Sequence, residues 1–211
     1  VRVGWTGRVN SWLTLGATWA SKVYMGEFEQ YDGLIAGGSF DIPSNYSIGL
    51  AAQLLPQLVA TLDFQRIEFG HVPAVGNGVL NSLLDPVGSP LGGRHGSGFN
   101  WGNQNNVRVG LEYTLSSALV LRGGYAYGDR VQRDDSMNSV TFNMFTPNPI
   151  HQASAGVSWR PVAAHELNVT YARFIAPAYA GPSASTLLGI GGVERIHAHV
   201  DAVMIGWSWK Q

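Results

Sequence analysis

Three side chains near the end of the chain, His197, His199 and Asp201, alternate along one face of an extended segment and have the donor types of a metal site. No further ligand is marked beside them, and polar residues at the loop end of a strand account for the pattern, so no metal is expected. Glu194 with His197 or Asp201 reads as an acid–base pair of the kind an outer hydrolase would use, but nothing supplies a nucleophile or an oxyanion site. Gly181 and Ser183 stand in GPSAS, which is not a nucleophile elbow. The glycine-rich GGRHGSGFNWG lacks the lysine of a phosphate-binding loop and is not bracketed by a strand and a helix. The chain is expected to be no enzyme and to need no cofactor.

A different kind of chemistry is written between Lys22 and Leu50. Tyr24, Phe28, Tyr31 and Ile35 recur at helical spacing, with Glu27, Glu29, Gln30 and Asp32 on the other sides, which predicts a short amphipathic helix. Phe28, Tyr31, Leu34 and Ile35 then form an apolar face in a loop with no core beneath it. Such a face either packs on a neighbouring loop or presents a groove to an apolar ligand.

The elements around that loop have a period of two. Leu13, Leu15, Ala17 and Trp19 alternate with small polar residues, and Tyr46, Ile48, Leu50 and Ala52 resume the alternation after Pro43. Val1–Trp5, Leu58–Phe64, Val107–Tyr113, Leu119–Tyr125, Ala153–Trp159, Leu167–Tyr171 and Val203–Trp209 repeat it, so nine strands are expected. The connections alternate between short turns, such as Ser116–Ser117, and long segments. One long segment runs from about His71 to Trp101, one from Gly128 to Pro149 and one from Ala176 to Glu194. Long loops gathered at one end are the pattern of an outer-membrane barrel with short periplasmic turns.

Composition agrees. Charged residues make up 13% of the chain and the formal net charge is −1, which gives no general attraction to nucleic acid. Glycine is about twice its average share, with 27 residues. There is no cysteine, hence no disulfide or thiolate site. No apolar run is long enough for a transmembrane helix. The chain opens in mid-pattern at VRVGW without a leader-like segment, which suits either a soluble protein or a piece of a larger barrel.

The two strand faces differ in kind. In several strands one face is unbroken and apolar. The other carries Arg2, Lys22, Asp63, Arg108, Glu112, Arg122 and Arg160, which suits a wet lumen and not a dry core. Trp12, Tyr113, Trp159, Trp207 and Trp209 fall near the short-turn ends, and Trp19, Tyr24, Tyr46 and Tyr127 near the other, as two interfacial girdles would.

The run GWTGRVNSWLTLGATWASKVYMGEFEQYDGL, followed by FDIPSNYSIGL, resembles the long-chain fatty acid transporter family of Gram-negative outer membranes, whose members also move other hydrophobic compounds. The similarity continues through LVATLDFQRIEF, VRVGLEYTLSSALVLRGGYAYG and GWSWKQ, though these later blocks are generic barrel strands. The resemblance implies an all-β fold, an antiparallel transmembrane β-barrel of about fourteen strands, of which residues 1–211 are the C-terminal nine, without the N-terminal plug and early strands. It also implies passive transport of long-chain fatty acids or similar hydrophobic compounds, with docking at Phe28, Tyr31, Leu34 and Ile35. Within the barrel, Arg108 is the inward arginine nearest the long-loop end of its strand and can make a bidentate pair with a carboxylate; pairing with an acid across the lumen is the equal alternative. For Arg122 and Arg160, pairing with Glu112 and Asp63 is preferred. The expected partners are a hydrophobic small molecule, outer-membrane lipid and lipopolysaccharide, with no nucleic acid, and the barrel is expected to be monomeric. A porin-like or structural barrel and an outer-membrane hydrolase are the alternatives.

Overall fold

The computed structural model describes residues 1–26, 40–133 and 149–209. Nine antiparallel strands form one sheet in chain order: β1 (Arg2–Arg8), β2 (Leu13–Ala20), β3 (Asn45–Leu55), β4 (Leu58–Ile67), β5 (Gln104–Ser116), β6 (Leu119–Gly128), β7 (His151–Val162), β8 (His165–Pro182) and β9 (Val193–Trp209). Each strand pairs with its sequence neighbours. Among the described residues β1 and β9 are not paired to each other, so the sheet is open. Short turns and long segments alternate without exception, placing every long connection at one end of the sheet. The first short turn is closed by Asn10, whose side-chain oxygen accepts from the backbone N–H groups of Trp12 and Leu13 at 3.0 and 2.9 Å.

The register separates two faces. Leu15, Leu50, Leu62, Val109, Tyr125, Ala153, Arg173 and Asp201 belong to the outward set, and Gly16, Gly49, Asp63, Arg108, Ala126, Gln152 and Phe174 to the inward set. Neither face covers a core. The buried hydrophobic residues of the strands are small, Ala20, Ala52, Val120 and Ala172, whereas Ile205 is 72% exposed and Trp207 69%. An exposed face this rich in large apolar residues, broken by Arg173 and Asp201, is stable against lipid and not against water. Trp159 and His151, the latter opposite Tyr127, stand eight residues apart on β7. That is about 26 Å along a strand, or roughly 20 Å along the membrane normal at the usual tilt, which covers most of the roughly 25 Å outward band of outer-membrane barrels.

Two elements differ from the sequence reading. The segment after Ala176 is not loop: β8 runs on to Pro182 and β9 begins at Val193, leaving a short 3₁₀ segment, Ala184–Leu188, between them. A bulge between Ala176 and Tyr179 resets the alternation. β7 ends opposite Ile175, so Pro177 and Pro182 lie where β8 has only one partner, the setting in which a strand tolerates proline. The connection from β4 to β5 is also structured. It carries two helical turns, α1 (Pro73–Gly76) and α2 (Asn81–Leu84), and its own core of Val72, Ala74 and Val75 under Phe69, Phe99 and Trp101. The expected helix on Phe28, Tyr31, Leu34 and Ile35 lies outside the described residues.

Candidate functional site

Strand β5 holds Arg108 on the inward face between Asp63 of β4 and Ala126 of β6, four residues from Gln104 at its long-loop end. Its guanidinium donates to Gln65 Oε1 on β4 and is exposed to the lumen. Above it is a cavity of about 230 Å³, with Ile67, Ala126, Pro149, Ile150 and Phe174 among its apolar lining and Gln104, Asn106, Arg108, His151 and Gln152 as its polar lining. A cation at the edge of an apolar recess, its known partner a neutral amide, can hold an amphiphile by its head while the tail covers the hydrophobic wall.

Toward the short-turn end the inward face is polar and closed on itself. Arg122 Nε lies 2.7 Å from Glu112 and its guanidinium also donates to Ser158, whose hydroxyl donates to Asn168. Asn168 donates to Glu166 at 3.1 Å, and Glu166 accepts from Arg160 at 2.5 Å. The expected pair of Arg122 with Glu112 is therefore present, but Arg160 pairs with Glu166, not Asp63. Both residues flank the β7–β8 turn, so they face each other within one hairpin, whereas Asp63 is on β4.

Lys22 is not on the strand wall as expected. It lies past the end of β2, where its ammonium is 2.8 Å from Asp41 and donates to the His71 carbonyl at 3.1 Å. His71 Nδ1 is 3.0 Å from Glu68, which also binds Arg66 at 2.8 Å and accepts from Asn103 at 3.2 Å. Asn105 links Arg66 to Asp129. One polar network thus ties together the bases of three long loops. The glycine-rich segment belongs to this architecture: Asn77 donates to the carbonyls of Arg94 and Gly96, and Ser82 and Ser97 bond reciprocally. Outside the loop core, Leu83, Leu84, Val87 and Leu91 are left exposed at 62%, 76%, 91% and 63%.

The remaining candidates do not assemble. β9 alternates without interruption, which puts His197, His199 and Asp201 outward and Glu194 inward, so Glu194 cannot form an acid–base pair with them. Glu194 accepts from Ser183 at 2.5 Å, and Asp201 accepts from Tyr171 at 2.6 Å with Arg173 at 3.7 Å. Among the described residues no group of three metal-ligating side chains is present. Phe28, Tyr31, Leu34 and Ile35 lie outside the described residues. Sequence reasoning missed the recess above Arg108, because Phe174 and Ile150 come from an extended strand and a loop edge far along the chain.

Comparison with known proteins places the fold. No family model and no curated protein sequence matches the chain. Among solved structures it is similar to the toluene transporter TodX of P. putida (TM-score 0.62, 15% identity, 99% of this chain and 48% of that one) and to the toluene transporter TbuX of Ralstonia pickettii (0.55, 17%, 100% and 47%). It is likewise similar to a FadL homologue of Pseudomonas aeruginosa (0.61, 15%, 98% and 50%). The chain spans about half the length of each. Its fold, over nearly its whole length, is that of the wall of a FadL-type bacterial outer-membrane β-barrel.

Proposed function

We propose that the chain is the C-terminal portion of a single monomeric barrel in the bacterial outer membrane, and that this barrel passes hydrophobic small molecules inward without catalysing a reaction. Among the described residues both sheet edges are unpaired and expose backbone N–H and C=O groups that lipid cannot satisfy, which supports closure of the wall by further strands. Solutes dock first on the long loops, on Phe28, Tyr31, Leu34 and Ile35 and on Leu83, Leu84, Val87 and Leu91, which are exposed on the β4–β5 connection. They then enter the recess above Arg108. That recess is the observation that carries the reading: it is apolar on one side, charged at its edge, and open to the lumen at the long-loop end.

The substrate class is a hydrophobic compound, and Arg108 favours one with a carboxylate, such as a long-chain fatty acid. Neutral aromatic hydrocarbons, for which TodX and TbuX are described as transporters, would use the same apolar lining without the arginine. A porin-like reading draws on the polar chain from Glu112 to Arg160. Uptake of labelled fatty acid, toluene and a small sugar by cells lacking their own transporter separates these readings. Entry of either hydrophobic compound, lost in the Phe28→Asp, Ile35→Asp double variant with the barrel still inserted, supports docking and passage. Entry of the sugar alone contradicts both.

A further inference from the structure

We infer that the outward face of the β8–β9 hairpin, just beyond the apolar band, binds the phosphates of a glycolipid in the outer leaflet; this rests on the membrane orientation proposed above. The bulge is in β8, so β9 keeps one alternation from end to end. Its outward residues fall into two blocks. Trp209, Trp207, Ile205 and Val203 are apolar and between 61% and 72% exposed. The next four, Asp201, His199, His197 and Arg195, are all ionisable and all exposed. The change occurs within one residue pair.

The single acid in the second block is already satisfied, since Asp201 accepts from Tyr171 and lies beside Arg173. Above it the register sets Ile175 opposite His199 and Ala180 opposite Arg195, so no carboxylate faces this row across the hairpin. Arg195, His197 and His199 follow one another at about 7 Å, in line with the interfacial pair Tyr127 and His151 on the neighbouring strands. A row of one arginine and two imidazoles above an apolar wall, with the occupied Asp201 between them, matches an amphiphile whose acyl chains lie on Val203 and Ile205 and whose phosphates accept from Arg195 and the histidines. A soluble anion would satisfy the charges but leave the adjoining apolar wall unused.

The test is native mass spectrometry of the full barrel extracted from outer membranes in mild detergent. Wild type is expected to retain phosphorylated glycolipid, and Arg195→Gln with His197→Gln to retain roughly tenfold less, as loss of charge-assisted bonds requires. Arg195→Gln alone, at the strand tip, serves if the double variant does not insert. Undiminished retention in the inserted variant, or equal competition by dephosphorylated glycolipid, would overturn the inference. Displacement by inorganic phosphate alone would overturn the lipid assignment. Heat-modifiable migration and membrane fractionation are read separately: wild type missing from the outer membrane would overturn the membrane reading and this inference with it.

Discussion

Arg108 on β5 lies directly opposite Asp63 on β4, yet its guanidinium donates to Gln65, one inward position nearer the long loops. Gly49 on β3 explains why. It is the register partner of Asp63 on the other side, and a Cβ there would stand 2.1 Å from Asp63 Oδ1. The carboxylate leans into the space a side chain would fill, away from Arg108, and the guanidinium is left turned toward the apolar recess.

Gly49→Ala should therefore push the Asp63 carboxylate off β3 and toward Arg108. The resulting partly exposed pair is worth about 1 kcal/mol at most, enough to weaken carboxylate binding several-fold. Adding Asp63→Asn should restore it. Equilibrium binding of a fluorescent fatty acid to the single and double variants measures both effects; equal affinity in all three proteins would contradict the role given to Gly49.

The two faces should answer differently to the same insertion. Leu62 points outward and its neighbour Thr61 inward. Leu62→Arg in the lipid band is expected to cost about 2–4 kcal/mol, whereas Thr61→Arg extends into the lumen and should cost well under that. Folding into vesicles, followed by denaturant titration, checks the difference. Equal penalties would mean that the faces are assigned wrongly.

The β4–β5 loop should unfold independently of the wall. Val75 is 2% exposed beside Val72 at 1%, so Val75→Asp buries an unpartnered carboxylate at a cost of several kcal/mol. Protease added to whole cells should then cut between residues 68 and 103 while heat-modifiable migration stays unchanged. Loss of the barrel itself would show that loop and wall fold as one unit.

Most of the wall was legible because its two faces meet unlike environments. Lipid demands Leu62 and Val109, and a wet lumen tolerates Thr61 and Arg108, so the alternation stays clear along most of the wall. The far half of β8 was not legible, since the bulge between Ala176 and Tyr179 resets the parity and Pro177 and Pro182 read as loop. Nor was the core under Trp101, where helical turns of four residues are too short to show a period. The inward placement of Arg108 is legible in the alternation of β5, but its surroundings are not. The partner of Arg160 depends on the β7–β8 hairpin register, and the recess depends on Phe174 and Ile150 arriving beside β5, neither of which spacing within one strand can reveal.

The most direct test of the account is uptake of a labelled long-chain fatty acid and of labelled toluene by cells carrying wild type or Arg108→Gln. Loss of a charge-assisted bond worth about 1.5–3 kcal/mol should lower the apparent affinity for the acid by roughly ten- to a hundredfold. Toluene entry should be unchanged. Equal loss for both compounds, or no loss for the acid, would contradict Arg108 as the carboxylate partner in the lumen.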